Sequence, residues 1–147
     1  MELAIMCGLP LSGKSTFAKK LQADGWVRVC PDDIRLALHG RQFVRRAEGF
    51  VWAVAEAMVR SLLIGGHKVV IDATNVSAKR RKRWVDLAEE FGLRLKIYWV
   101  TTDYRTCIKR NLAIKRLEQK TIDRMHAQFE KPSEEEGEVF MITCEEK

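Results

Sequence analysis

The sequence predicts an α/β domain in which a five-stranded parallel sheet carries helices on both faces. Three observations predict it. Short apolar runs alternate with helical segments of ten or more residues, the pattern of buried parallel strands joined by crossover helices. The first run, Leu3-Ala4-Ile5-Met6-Cys7, passes directly into Gly8-Leu9-Pro10-Leu11-Ser12-Gly13-Lys14-Ser15-Thr16, which has the phosphate-loop spacing of Gly, four residues, Gly, Lys and Ser/Thr. A later run, Lys68-Val69-Val70-Ile71-Asp72, ends in a carboxylate.

After the loop, residues 16–23 read as a helix with Phe17, Ala18 and Leu21 on one face and Asp24-Gly25 as the stop. Residues 26–30 alternate and are rich in β-formers, giving a second strand that Pro31 ends. Asp32 and Asp33 then read as N-cap and first-turn acids of a short helix through about Leu38, broken at His39-Gly40. From Val44 to Ile64, apolar residues at three- and four-residue spacing predict one long amphipathic helix. Its inward set is Phe50, Val51, Val54, Ala55, Met58, Val59, Leu62 and Leu63, and Gly65-Gly66 stops it.

The third strand runs from Lys68 to Asp72. Ser77 caps the next helix, which continues to about Phe91 and halts at Gly92. Residues 95–100 form a fourth strand, and Asp103 opens a helix through about Ala113. Residues 122–129 form another helix, 132–137 a loop, and 139–143 the fifth strand.

With 147 residues the chain is expected to be one domain, 1–147, able to bury about two-thirds of its unfolded surface. Cys7, Cys30, Cys107 and Cys144 are widely spaced and lack any C-x-x-C pair. They read as reduced, buried, small apolar residues of a cytoplasmic protein. No run of 18 apolar residues occurs and no basic leader precedes an apolar segment, so neither membrane insertion nor secretion is expected. The net charge of +6 is uneven, because Glu134, Glu135, Glu136, Glu138, Glu145 and Glu146 gather at the end. The rest of the chain is therefore more basic than the total suggests, which suits polyanionic ligands.

Ligands of open parallel sheets lie at the carboxyl ends of the strands. There the sequence places the phosphate loop, then Asp32 and Arg35, then Asp72 and Asn75. In the loop, Gly8 and Gly13 supply a permissive backbone, and the N–H groups of Leu11 to Ser15 point at phosphate oxygens. Lys14, expected to be an exposed loop cation, reaches the β- and γ-phosphates. Ser15 offers its hydroxyl to Mg²⁺, Thr16 follows in the same helical turn, and that helix directs its positive end at the polyphosphate.

The three-residue step from Asp32 to Arg35 puts a proton acceptor and a guanidinium on one helical face. Asp33 reads as plain capping charge. Asp72 is the strand-end acid that phosphate-loop proteins use to hold Mg²⁺. The run Lys79-Arg80-Arg81-Lys82-Arg83 opens a helix where positive charge is disfavoured, so either a bound polyanion or solvent must compensate for it. Arg41, Arg45 and Arg46 form a looser basic patch. His39, His67 and His126 lack metal-ligand spacing and read as surface or turn residues.

These motifs resemble the phosphate-loop polynucleotide 5′-hydroxyl kinases over nearly the whole chain. The resemblance rests on residues 8–16, on Asp32-Asp33-Ile34-Arg35, on Asp72-Ala73-Thr74-Asn75 followed by Arg80-Arg81, and on Lys109-Arg110-Asn111. It implies a P-loop kinase fold of sheet order 2-3-1-4-5, with ATP and Mg²⁺ as cofactors and DNA or RNA 5′-hydroxyl ends as partners. It also implies a lid at about residues 103–130, Asp32 as general base and Arg35 as the grip on the acceptor's phosphate. Ile114 stands where that family carries a lid arginine, leaving Arg116 or Arg110 for the role. Small-molecule hydroxyl kinases share the loop and the acid, so the acceptor remains open between the two classes.

Overall fold

Along Glu2–Cys7 (β1) successive side chains point to opposite faces of a sheet, and both faces are buried. Leu3, Ile5 and Cys7 enter one apolar cluster with Val51, Val59, Trp84 and Leu87, whereas Ala4 and Met6 enter a second with Ala18 and Trp26. This double burial explains why β1 reads as an unbroken apolar run. The computed structural model describes residues 1–40 and 43–143, so Arg41, Cys144, Glu145 and Glu146 lie outside the described residues.

The remaining elements are α1 (Lys14–Ala23), β2 (Val27–Val29), α2 (Pro31–His39), α3 (Glu48–Ile64), β3 (Lys68–Ile71), α4 (Ala78–Glu90), β4 (Lys96–Val100), α5 (Tyr104–Ile114), α6 (Gln119–Gln128) and β5 (Glu138–Ile142). Every strand pairing is parallel, and the order is β2-β3-β1-β4-β5, the order implied by the resemblance. Ala4 pairs with Val70 on one side of β1 and with Lys96 on the other. The ends of β1, β2 and β3 therefore open onto one edge.

Three boundaries differ from expectation. Pro31 is the first residue of α2 rather than the end of a strand, and Cys30 is its N-cap. Proline's fixed φ and missing N–H suit that first helical position, so Asp32 is a first-turn acid and not the cap. The long helix begins at Glu48 after a 3₁₀ turn at Arg45–Ala47. Its buried stripe is Val51, Ala55, Val59 and Leu63, while Phe50 and Met58 are exposed. Finally, α6 begins at Gln119, three residues ahead of the expected start. As expected, Ser77 and Asp103 accept N–H bonds from Arg80 and Thr106 at the starts of α4 and α5.

Cys7, Cys30 and Cys107 are buried free thiols. Burial pushes the Cys7 thiol up to about 11, against the pull of Arg81. Among the described residues no helix is long and apolar enough to cross a membrane.

Candidate active site

The loop after β1 wraps tightly enough to exclude a side chain at its first residue. A Cβ on Gly8 would stand 2.9 Å from the Val100 carbonyl oxygen and 3.0 Å from Ser12 Oγ. Leu11 adopts φ 67° and Gly13 φ 104°. Gly13 is the N-cap of α1 and makes no side-chain cap bond, and a helix start of this kind directs its first N–H groups and positive end towards an anion. Arg110 Nη1 and Thr102 Oγ1 hold the loop from behind, donating to the carbonyls of Leu11 and Ser12 at 2.9 and 2.7 Å.

Lys14 is not the exposed cation that the sequence suggested. It is 8% exposed, because the loop curls around it, and Nζ donates to the Leu9 carbonyl at 2.6 Å and to Ser12 Oγ at 3.4 Å. Burial pulls its pKa down to about 8, only partly opposed by the charge of Asp72. Ser12 is also fully buried, so its side chain serves Lys14 rather than a ligand. Ser15 and Thr16 are exposed at the start of α1 and face a cavity of about 1000 Å³.

That cavity also receives Asp32, Arg35, Asp72, Asn75, Arg110 and Arg116. Its far wall is built by α2 and α3. Arg35 Nη1 donates to Asp32 Oδ1 at 2.6 Å, and its Nε and Nη2 donate to the two carboxylate oxygens of Glu48 at 2.9 and 2.7 Å. The guanidinium carbon stands 5.8 Å from the centre of the Trp52 ring. Arg35 is thus oriented on three sides while one edge faces the cavity. Glu48 and Trp52 lie four residues apart on α3 and were not singled out from sequence. The signal available was an acid in the first turn of a long helix with an aromatic one turn later.

Asp72, just beyond β3, is buried, and Arg28 Nε and Nη2 contact its Oδ2 at 2.8 and 2.7 Å. Arg28 also reaches Asp33 at 2.9 Å, so Asp33 is an ion-pair partner rather than plain capping charge. Both contacts to Asp72 use one oxygen. A carboxylate oxygen and the Ser15 hydroxyl, facing one cavity, are the hard donors that Mg²⁺ prefers. A single protein carboxylate suffices where phosphates and water complete the shell. No cluster of three or more His, Cys, Asp or Glu with metal-binding geometry occurs among the described residues. Asn75 is buried, with φ 46°, and its Nδ2 donates to the Met6 carbonyl at 2.7 Å, tying this strand end to β1.

The third wall comes from α5 and α6. Asn111 is buried and clamps the turn between them, donating to the Leu117 carbonyl at 2.8 Å and accepting from the Leu117 N–H at 3.0 Å. Arg116 projects from this turn, and its Nη2 lies 3.8 Å from Asp32 Oδ2. Ile114 is exposed. Tyr104 and His126 stack at 4.3 Å, and Tyr104 also bonds Asp123.

The basic run divides in two. Arg81 is fully buried, its Nε 2.6 Å from Glu136 Oε2 and its Nη1 donating to the Asn75 carbonyl at 2.8 Å. Its charge is therefore compensated inside the fold. Lys82 pairs with Asp86, while Lys79, Arg80 and Arg83 are exposed.

A family model described as "AAA domain" matches residues 3–132. The bifunctional polynucleotide phosphatase/kinase of Schizosaccharomyces pombe is 26% identical over 143 residues, covering 92% of this chain and 31% of the relative. A chain in the structure of the Pnkp1/Rnl/Hen1 RNA repair complex superposes with a TM-score of 0.76 at 29% identity, covering 86% of this chain and 43% of that one. The present chain thus spans less than half the length of both. Chaetomium thermophilum Kti12, solved with ADP-AlF₃, shares the fold with a TM-score of 0.79 at 17% identity, over 96% of this chain and 88% of that one. The parallel sheet, the phosphate loop and the matched span agree: the chain belongs to the AAA domain family and, within the P-loop kinases, resembles the polynucleotide 5′-hydroxyl kinases.

Proposed function

We propose that this domain transfers the γ-phosphoryl group of ATP to the 5′-hydroxyl of a DNA or RNA end. The observation that most supports this reading is the pair Asp32 and Arg35 across the cavity from the phosphate loop. One can take a hydroxyl proton and the other can grip an anion on the same substrate. Simple nucleotide binding needs neither. The names of the two relatives, a polynucleotide phosphatase/kinase and a chain of an RNA repair complex, add support.

In this reading the acceptor O5′ forms a bond to Pγ as the bond from Pγ to the bridging oxygen breaks. ADP departs, and the hydroxyl proton passes to the Asp32 carboxylate. Lys14 and the backbone N–H groups from Leu11 to Ser15 hold the phosphates. Arg110 and Arg116 face the transferring group from residues 103–130, which act as the lid. Arg35 orients the acceptor through its neighbouring phosphate. Ser15 and Asp72 would hold Mg²⁺, which would supply charge neutralisation for the phosphates. We assign the activity to the cytoplasm, where the buried thiols remain reduced.

The test is ATP turnover with a 5′-hydroxyl oligonucleotide, with small polyols and sugar acids, and with no acceptor. Transfer to the oligonucleotide is expected. Transfer only to a small alcohol would make the domain a small-molecule kinase, and ATP binding without transfer to any acceptor would make it a nucleotide-binding module.

A further inference from the structure

Among the described residues, Arg28, Arg35, Arg60, Arg81, Arg94 and Arg116 have carboxylate partners within 4 Å, whereas seven arginines have none: Arg46, Arg105, Arg110, Arg124 and three from α4 and the turn before α3, Arg45, Arg80 and Arg83. These three lie at or beside the cavity. Arg45 and Arg80 line it directly. Arg83 lies three residues after Arg80 on the same face of α4. Its guanidinium carbon is 5.8 Å from the Trp52 ring centre, and its Nη1 donates to the Trp52 carbonyl at 3.2 Å.

Trp52 is thus shared by Arg83 and Arg35, which links Arg83 to the acceptor wall. Arg80 is the third residue of α4, where the helix dipole disfavours a cation and no acid offsets it. Phe43, 63% exposed, lines the same cavity. Unpartnered cations beside exposed aromatic rings are the means by which proteins hold single-stranded nucleic acid, with charge following the backbone and rings taking the bases. A small-molecule acceptor would stop at Arg35 and leave these groups without a use.

We propose that Arg80 and Arg83, with Arg45 and the ring of Phe43, form a track for the second and third nucleotides of a single-stranded acceptor, leading away from Arg35. This rests on the polynucleotide reading given above. It adds that recognition extends beyond the terminal nucleotide and that the occupant is an unpaired strand.

The experiment measures KM for a nucleoside 3′-phosphate and for 5′-hydroxyl di-, tri- and hexanucleotides at several salt concentrations. It compares the wild-type protein with Arg80→Gln/Arg83→Gln and with Arg83→Lys. In the wild type KM should fall with length up to the trinucleotide and then level off. The double variant should raise KM for the hexanucleotide roughly tenfold and reduce its salt slope by about 0.7 per arginine. Its penalty on the nucleoside 3′-phosphate should be much smaller. Arg83→Lys keeps the charge but not the planar stack, so it should preserve the salt slope, and a native thermal transition confirms that each variant is folded. An active wild type whose KM ignores length, or a double variant whose penalty is equal on both acceptors, would overturn the track alone. A wild type that phosphorylates neither acceptor would overturn the polynucleotide reading beneath it, and the track with it.

Discussion

Arg28 directs two nitrogens, Nε and Nη2, at a single oxygen of Asp72, at 2.8 and 2.7 Å. The pair anchors the carboxylate at the end of β3, where Asp72 lines the cavity.

If Asp72 helps to hold Mg²⁺, Asp72→Ala should raise the Mg²⁺ concentration for half-maximal transfer by at least about tenfold. A Mg²⁺ titration of initial rates checks this. An unchanged midpoint would make Asp72 a structural partner of Arg28 only.

Burial of Lys14 makes its charge costly to the free protein. The fall from 10.5 to about 8 corresponds to on the order of 3 kcal/mol, partly returned by the bond to the Leu9 carbonyl. Lys14→Met should abolish transfer yet raise the melting temperature of the ligand-free domain by a few degrees at pH 7. Between the two pKa values the unfolded chain binds the extra proton, so wild-type stability climbs with pH across that window. The variant's advantage should therefore be full below about pH 8 and fade towards 10.5. Melting curves at pH 7 and pH 10 test the sign, and a variant less stable than the wild type at pH 7 would refute it.

Asp32 and Arg35 should fail differently. If Asp32 takes the hydroxyl proton, Asp32→Asn should lower kcat by about 10²–10⁴-fold with ATP affinity nearly unchanged. Arg35→Ala should raise KM for acceptors that carry a phosphate beside the hydroxyl and act far less on a bare nucleoside. Equal losses on both acceptors would remove the phosphate-grip role and favour the small-molecule kinase.

Glu136 is the only carboxylate within 4 Å of the fully buried Arg81 guanidinium among the described residues. Glu136→Ala should cost about 3 kcal/mol of stability, read as the midpoint of urea unfolding. A loss below about 1 kcal/mol would mean that water takes the carboxylate's place.

The sheet, its order and most helix limits were legible because the signals were local: apolar runs of strand length, Ser77 and Asp103 as caps, and glycines at stops. The phosphate loop and its associated acids were legible for the same reason, since their spacing is short. What sequence could not convey is how distant groups share charge. Arg81 lies on the buried stripe of α4 with Trp84, Leu87 and Ala88, but the acid that compensates its charge, Glu136, is 55 residues further on. The partnership of Arg28 and Asp72 spans 44 residues, and the burial of Lys14 depends on the curl of its own loop. Pro31 is ambiguous in the sequence because proline both ends strands and starts helices, and the extended residue before it, Cys30 at −123° and 112°, suits either; the helical turn that begins at Pro31 settles which.

The position of Trp52 has an optical consequence. Its ring adjoins the guanidinium groups of Arg35 and Arg83, while Trp84, 6.4 Å away, is sealed in the core. An anion that draws either arginine off the ring changes the electrostatic field on that indole. Intrinsic fluorescence should therefore report anion binding beside Trp52 without a label, and Trp52→Phe provides the blank.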